Sequence, residues 1–376
     1  MNEKKNATAN EPLIHLSKRE SISIVKSWLI RLAAIVLGLV VCGLVAYILS
    51  DKLRSGKKTI FDFYHSFLVK GSFSTSRKMW KFFKNMAVLQ CISLAVTPAF
   101  RMQFWNTGAE GQTLMGVWGA IAVAFYLGGK VPAALLLVLM LAAALLCGAL
   151  WALLPAIFKA KWNTNETLFT LMMNYIATQL AAFFIIVWEV PKGAGKIGII
   201  NQNSEAGWLP VIGGKQYLLT ILVVAVMTIL MYIYLNYSKH GYEIAVVGES
   251  QRTASYAGIK VERVIIRTMV LSGAVCGLMG LLLTAGTDHT LTTTIVGGRG
   301  FTAVMVSWLA KFNPIVMVFT SLLLVVLSRG ASEISSVFSL NHSFADILTG
   351  IILFFIIGSE FFLTYKVSLR KSKKEA

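Results

Sequence analysis

Three polar side chains, Asn106, Glu110 and Gln112, fall close together in the stretch FWNTGAEGQTLMG (104–116), interleaved with Gly108, Gly111 and Gly116. A carboxylate and two amides in that spacing could hydrogen-bond a polar solute, and the glycines would let another backbone come close. The stretch lies between long apolar runs, where a charge is unfavourable and each glycine weakens a helix by roughly 1 kcal/mol. Partners must offset both costs. Near the start of its helix Glu110 would also favour the positive end of the helix dipole. A second set, Thr170, Asn174 and Thr178, follows Glu166 at four-residue intervals and therefore lines one helix face. Hydroxyls and an amide in such a stripe find no partners in lipid and must face a bundle interior. Both sets are candidates for lining a substrate path, and for both a purely structural network of helix-to-helix hydrogen bonds explains the residues equally well. Asn163, three residues before Glu166, fits an amino-terminal cap for that helix.

The sequence carries no HExxH, no GxSxG and no nucleotide-binding phosphate loop. GAGK at 193–196 lacks the GxxxxGK[ST] spacing. The five histidines, His15, His65, His240, His289 and His342, are scattered and suggest neither a metal nor a catalytic cluster. Cys42, Cys91, Cys147 and Cys276 lie in apolar windows with no CxxC pair, and read as small buried hydrophobes. No catalytic residue, metal site or cofactor is assigned.

The elements that hold these residues are set by composition. Of 376 residues, 56% are hydrophobic and 14% charged, against roughly 25% charged in an average soluble domain. Several windows reach the roughly 20 apolar residues that cross a bilayer. The first, 28–49, follows a polar tail too long for a cleaved signal peptide and is read as a retained span. Helices are expected near 27–49, 79–99, 112–128, 131–157, 167–188, 216–236, 263–286, 300–311, 314–329 and 345–365, the eighth and ninth being short enough to be broken or tilted. The fold class is an all-α integral membrane protein of about ten transmembrane helices. A polar tail (1–26) precedes the membrane domain (27–365), and a basic tail (366–376) follows it. The stretch TIFDFYHSFLVKGSF suits an interfacial helix, and 189–215, rich in Gly, Pro and Asn, an exposed loop.

The net charge of +18 is concentrated at the termini and between apolar runs, where Lys and Arg meet anionic headgroups and set orientation. No basic helix with interleaved aromatics stands apart, so membrane lipid is the expected partner and nucleic acid is not. An even number of spans puts both termini on one side. Placing them in the cytoplasm puts 236–262 and the basic tail there too, with most of the Lys and Arg. The segment 51–84 dissents, leaving Lys52, Arg54, Lys57, Lys58, Lys70, Arg77, Lys78, Lys81 and Lys84 outside.

Within the long polar loop 236–262, residues 249–257 form a short helix on propensity, with Ser250 as its cap and Gly258 able to take the left-handed position after it. Ala254, Ser255 and Ala257 would then offer a small-residue surface for another protein, although an ordinary connector accounts for the same pattern.

That loop carries a resemblance. VGESQRTASYAGI (247–259) is similar to the coupling-loop signature VGxNxxAAxYAGI of permease subunits in the ribose, branched-chain amino acid and nucleoside group of ABC importers. LSGAVCGLMGLLLTAG looks like that family's next span, and GGRGFTAVMVSWLAKFNPI resembles its late GxGFxGIAVALLGxxNPIG segment. FWNTGAEGQTLMG resembles the FNIGAEGQ signature of the nucleoside branch, and NTNETLFTLMMNYIA its NEVISTLMLNYIA. These matches keep the family's order and cover most of 100–330; Thr107 in place of Ile, the bulky Trp308 and the basic outer segment depart from it.

The resemblance implies a type II-like permease bundle in the cell membrane, translocating nucleosides, with a simple sugar as the alternative cargo. It implies a separate cytoplasmic ABC ATPase, a second permease, identical or different, and an extracytoplasmic substrate-binding lipoprotein. It assigns ATPase coupling to Gly248, Glu249, Arg252, Ala254, Tyr256, Ala257 and Gly258. A reading from another class, an ion-coupled secondary transporter, would need no ATPase. The topology has a direct check. On a cysteine-free background in intact cells, Asn203→Cys should react with an impermeant thiol reagent and Gln251→Cys should be protected; the reverse pattern inverts the orientation.

Overall fold

The computed structural model describes residues 14–19 and 23–369. In chain order the elements begin with β1 (Ile14–Lys18), α1 (Ile24–Leu49), α2 (Asp51–Arg54) and α3 (Ile60–His65). There follow α4 (Ser76–Arg101), α5 (Ala109–Leu127), α6 (Ala133–Trp162), α7 (Glu166–Trp188) and α8 (Leu218–Tyr237). The remainder are α9 (Lys239–Glu249), α10 (Gln251–Tyr256), α11 (Val261–Leu283), α12 (Arg299–Leu309), α13 (Pro314–Val337), α14 (His342–Thr364) and β2 (Tyr365–Leu369). Ser66–Lys70 and Thr284–Asp288 are single π-helical turns.

All ten expected helices are present. Eight helices among the described residues are long and apolar enough to cross a membrane. The other two of the ten are α5, with Glu110 in its first turn, and α12, whose 11 residues reach only about 16 Å at 1.5 Å per residue. The ninth helix runs to Val337 instead of 329. Its last turns, SRGASEISS, are polar in sequence but keep the helical backbone, with Ser332 and Ser336 donating to carbonyls four residues back.

One unit comprises the chain up to Ser74 together with the residues from Val326 onward. Here α1 and α14 pack as an antiparallel pair, closely enough that a Cβ on Gly38 would sit 3.3 Å from the Ile352 Cα. Arg31 and Glu360 form an ion pair at 2.7 Å. β1 pairs antiparallel with β2, Ile14 opposite Leu369, so the outer ends of α1 and α14 leave on the same side. This short ribbon was not expected: neither tail alternates clearly, and each strand exists only because the other is beside it. The expected interfacial helix is α3 plus its π turn, started by a reciprocal Thr59–Asp62 capping box. It buries Phe63 and Phe67 and exposes Phe61.

The other unit, Thr75–Val325, holds the candidate site. Its centre is α5, α6 and α11, joined along small residues. A Cβ on Gly116 would lie 2.5 Å from the Gly277 Cα; Gly148 abuts the Gly273 backbone, and Gly277 the Ala144 carbonyl. In lipid no hydrophobic force separates helix from tail, and close backbone approach is what makes helices associate. α4 is buried along most of its length and binds its neighbours through side chains. Gln90 donates to the Pro314 carbonyl (3.2 Å) and accepts from Ser321 (2.9 Å), and Thr97 pairs with Ser307 at 2.9 Å.

The expected loop at 189–215 is irregular yet fastened. The Gly193 and Gly195 amides donate to Glu189 at 2.7 and 2.8 Å, which holds its carboxyl below the usual range. The GAGK stretch thus wraps a side chain of the protein itself. Trp208 stacks on His289 with ring centroids 3.8 Å apart, and Leu209 N–H donates to the Ala285 carbonyl at 2.7 Å. Because Gly277 is packed on backbone, a methyl there has nowhere to go. Gly277→Ala should destabilise the protein by about 1–3 kcal/mol, the usual range for overpacking, and Gly277→Val by more, read as a falling melting temperature of the detergent-solubilised chain. An unchanged melting temperature would mean the seam is looser than described.

Candidate functional site: a polar junction and two loop helices

α4 ends at Arg101, and the chain turns through 102–108 before α5 starts at Ala109, three residues earlier than expected. That turn is held by amides. Asn106 and Gln112 exchange two side-chain hydrogen bonds (3.2 and 3.1 Å), Asn106 also donates to Ser272 of α11 (3.0 Å), and Gly108 N–H donates back to Asn106 (3.0 Å). Both amides are buried.

α7 closes the junction from the other side. Asn174 accepts from Gly111 N–H and donates to the Thr107 carbonyl, each at 2.9 Å. Thr107 N–H donates to the Thr170 hydroxyl at 3.2 Å, and the two hydroxyls lie 3.0 Å apart. The threonine that departs from the family's usual Ile is therefore a working member of the junction. Thr178 donates within its own helix, to the Asn174 carbonyl. Asn163 does not cap α7. It ends α6 in a left-handed conformation, and the cap is Asn165, accepting from Leu168 N–H at 3.0 Å. Spacing alone favoured Asn163; the turn between α6 and α7 shifts the cap by two residues and leaves Glu166 to pair with Lys159 at 2.9 Å.

Glu110 leaves its own helix behind. Its carboxylate accepts from Gly298 N–H (2.8 Å) and Gly300 N–H (2.7 Å) at the amino terminus of α12. Gly297 and Gly298 both have positive φ, +64° and +73°, which turns the amides toward it. A Cβ on Gly300 would lie 2.8 Å from the Glu110 Cα. Charge-assisted bonds to otherwise unpaired amides, at the positive end of a helix, are the strong kind. Position in sequence sets Glu110 against its own helix dipole; the structure adds α12, with Gly298 and Gly300 on Glu110, and Ser272 of α11 on Asn106, none of which the sequence singles out. The GGRG run before α12 was the available signal.

Lys84 and Asp288 were also missed. They form an ion pair at 3.0 Å between α4 and the π turn after α11. Trp308 lies 56% exposed on α12, edge-on to Trp105 with centroids 5.6 Å apart.

The loop 236–262 holds two helices, not one. Ser238 caps α9, accepting from Gly241 N–H at 3.0 Å, and Ser250 caps α10, accepting from Thr253 N–H at 3.2 Å. Gly258 takes φ +78°. Ala254 does not belong to an exposed small-residue surface: it is fully buried, in a cluster with Ala99, Met102, Ala156, Ile265 and Met269. A helix this short must bury one face to be stable, and Ala254 is on that face. Arg252, Ser255, Tyr256, Ala257 and Gly258 are exposed, Tyr256 by 92%. Glu249 is exposed, whereas Gly248 is buried with its backbone against the Arg101 carbonyl.

A bundle of apolar helices with a polar junction at one helix start and a packed pair of loop helices is the organisation of a membrane transport subunit. Residues 81–357 match the family described as branched-chain amino acid transport system / permease component, and the chain belongs to that family as a multi-pass membrane permease. It is similar to the guanosine ABC transporter permease protein NupP of Bacillus subtilis, 30% identical over 88% of this chain and 93% of the relative. It is also similar to the nucleoside ABC transporter permease protein NupB of Lactococcus lactis subsp. cremoris, 25% identical over 87% and 90%. The glucose ABC transporter permease protein TsgB13 of Haloferax volcanii is 29% identical over 73% and 75%.

Glu110 holds α12, a role distinct from those of the side chains that bond within α5, α7 and the turn before α5. Glu110→Ala removes two bonds to a charged acceptor, each worth about 1.5–3 kcal/mol, and leaves two amides unpaired. The variant should melt markedly lower, while Thr178→Val, which loses only a bond within its own helix, should melt close to wild type. Equal melting temperatures for Glu110→Ala and wild type would show that α12 is held by something else.

Proposed function

We propose that this chain is the translocating subunit of an ATP-driven nucleoside importer, working with a separate ABC ATPase, a second permease and an extracytoplasmic binding lipoprotein. The nucleoside assignment is supported by the two nucleoside-named relatives, each of which this chain covers along about nine-tenths of its length. A simple sugar is the second reading, favoured by the resemblance to TsgB13.

The observation that carries coupling is the seating of α9 and α10. Their buried side packs on the end of α4, the carboxy-terminal third of α6 and the start of α11, and their exposed side presents Arg252, Tyr256 and Ala257. In this reading the ATPase grips the exposed side. A push on α10 then reaches Met102 and Phe104, two residues from Asn106, and so the junction that anchors α12. Asn106, Glu110, Gln112, Thr170 and Asn174 act in transport through the position of α5, α7 and α12, because the polar atoms described above are spent on one another. The loop 236–262 and both termini are cytoplasmic.

The whole complex reconstituted in liposomes tests this. Labelled guanosine should accumulate only with ATP inside the ATPase compartment, and unlabelled nucleosides should compete where glucose does not; competition by glucose alone would move the cargo to the sugars. Arg252→Glu with Tyr256→Ala should cut uptake at least about tenfold at unchanged melting temperature, since interface contacts of this kind contribute more than 1 kcal/mol. Ala254→Arg should instead fail to fold. Proton- or sodium-driven uptake by the permease without the ATPase would overturn the importer reading.

A further inference from the structure

The basic segment that upsets the charge count ends on α4. Arg77, Lys81 and Lys84 recur at i, i+4 and i+7 and share one face of that helix. The deepest, Lys84, is the one paired with Asp288, and its Nζ lies 5.5 Å from the centre of the Tyr217 ring. The two nearer the helix start open onto a cleft of about 350 Å³, whose other wall is Gly214–Tyr217 at the entry to α8. The lining holds three cations, Arg77, Lys81 and Lys215, two aromatic rings, Trp80 and Tyr217, and no carboxylate. Lys215 Nζ stands 5.6 Å from the centre of the Trp80 ring. Among the described residues, none of these three cations pairs with a carboxylate.

Three like charges around one cleft repel one another, and an anion between them relieves that repulsion. The position narrows the choice of anion. Trp80 is in the first turns of α4 and Tyr217 immediately precedes α8, so both rings stand at the ends of helices that cross the membrane. Indole and phenol rings at that level sit among lipid headgroups. A volume of about 350 Å³ exceeds what a bare phosphate needs and falls in the range of small-molecule pockets, roughly 300–1,000 Å³.

We propose that this cleft binds the headgroup of an anionic glycerophospholipid. The Arg77 fork, Lys81 and Lys215 surround the phosphodiester, and the Trp80 and Tyr217 rings lie against the glycerol. The excess of basic residues at this end of α4 is then a lipid site and carries no weight as a topological signal. The proposal does not depend on the transported substrate.

Native mass spectrometry of the full-length permease, released from detergent after incubation with phosphatidylglycerol or phosphatidylcholine, tests it. Wild type should retain phosphatidylglycerol in preference to phosphatidylcholine. The variant Arg77→Gln/Lys81→Gln/Lys215→Gln should lose at least about fivefold of that retention, the effect of a single basic contact at a membrane surface. Lys81→Arg/Lys215→Arg, which keeps the charge, should retain the lipid as wild type does, and a thermal melt confirms that each variant is folded. Displacement of the lipid by excess glycerol 1-phosphate would further support recognition of the headgroup. Equal retention of the two lipids by wild type overturns the proposal whether or not the triple variant folds. So does a folded triple variant that keeps its lipid.

Discussion

The bond on which the site depends is the one between the Glu110 carboxylate and the free amides of α12. An eleven-residue helix inside an apolar bundle exposes amino-terminal N–H groups that no lipid can satisfy. Glu110 satisfies two of them and brings a negative charge to the positive end of the helix. Everything nearby serves that contact. Gly300 lets the two backbones meet, and Gly297 and Gly298 supply the left-handed turn that aims the amides. The Asn106–Gln112 exchange fixes the start of α5, from which Glu110 projects, and Ser272 and Asn174 tie that start to α11 and α7. A charge that would be unfavourable alone in lipid becomes the anchor of a broken helix.

The glycine seams provide the frame for this junction. Gly116, Gly148, Gly273 and Gly277 bring three helices to backbone contact, so dispersion and weak polar contacts act at the shortest range available. Such a frame tolerates little: each added methyl meets backbone, which cannot rotate away. The polar network and the seams share α5 and α11. Gly111 is at the same time a hydrogen-bond donor to Asn174 and so near α7 that a Cβ there would lie 3.0 Å from the Asn174 Cα. Packing and polarity are thus met by the same residues.

Within the permease, the loop helices continue the same frame. Gly248 rests on the Arg101 carbonyl and Ala254 fills a core shared by α4, α6 and α11, so α9 and α10 are rigidly seated on the helix that leads into the junction. What another subunit can reach is the opposite face, with Tyr256 standing almost wholly clear.

Much of this was legible in sequence. Long apolar runs announced the helices because a membrane-crossing segment must satisfy its backbone internally, and that constraint is local. Ser250 as the cap of α10 and Gly258 in a left-handed turn were readable for the same reason: both depend on residues within three or four positions. The polar cluster at 106–112 and the stripe at 170–178 stood out by residue type. What tertiary structure alone decided is which partner each group found. The acceptors and donors for Asn106, Glu110 and Asn174 lie up to 190 residues away in the chain, beyond any periodicity. Asn165 rather than Asn163 caps α7 because of the turn from α6, and Ala254 points inward because a six-residue helix is oriented by what it rests on. The ribbon of β1 and β2 forms because α1 and α14 bring the two ends together. Sequence determines which groups need satisfying, since that is a property of each residue in its solvent; only the packed chain determines by whom, since that depends on backbones meeting across great sequence separations.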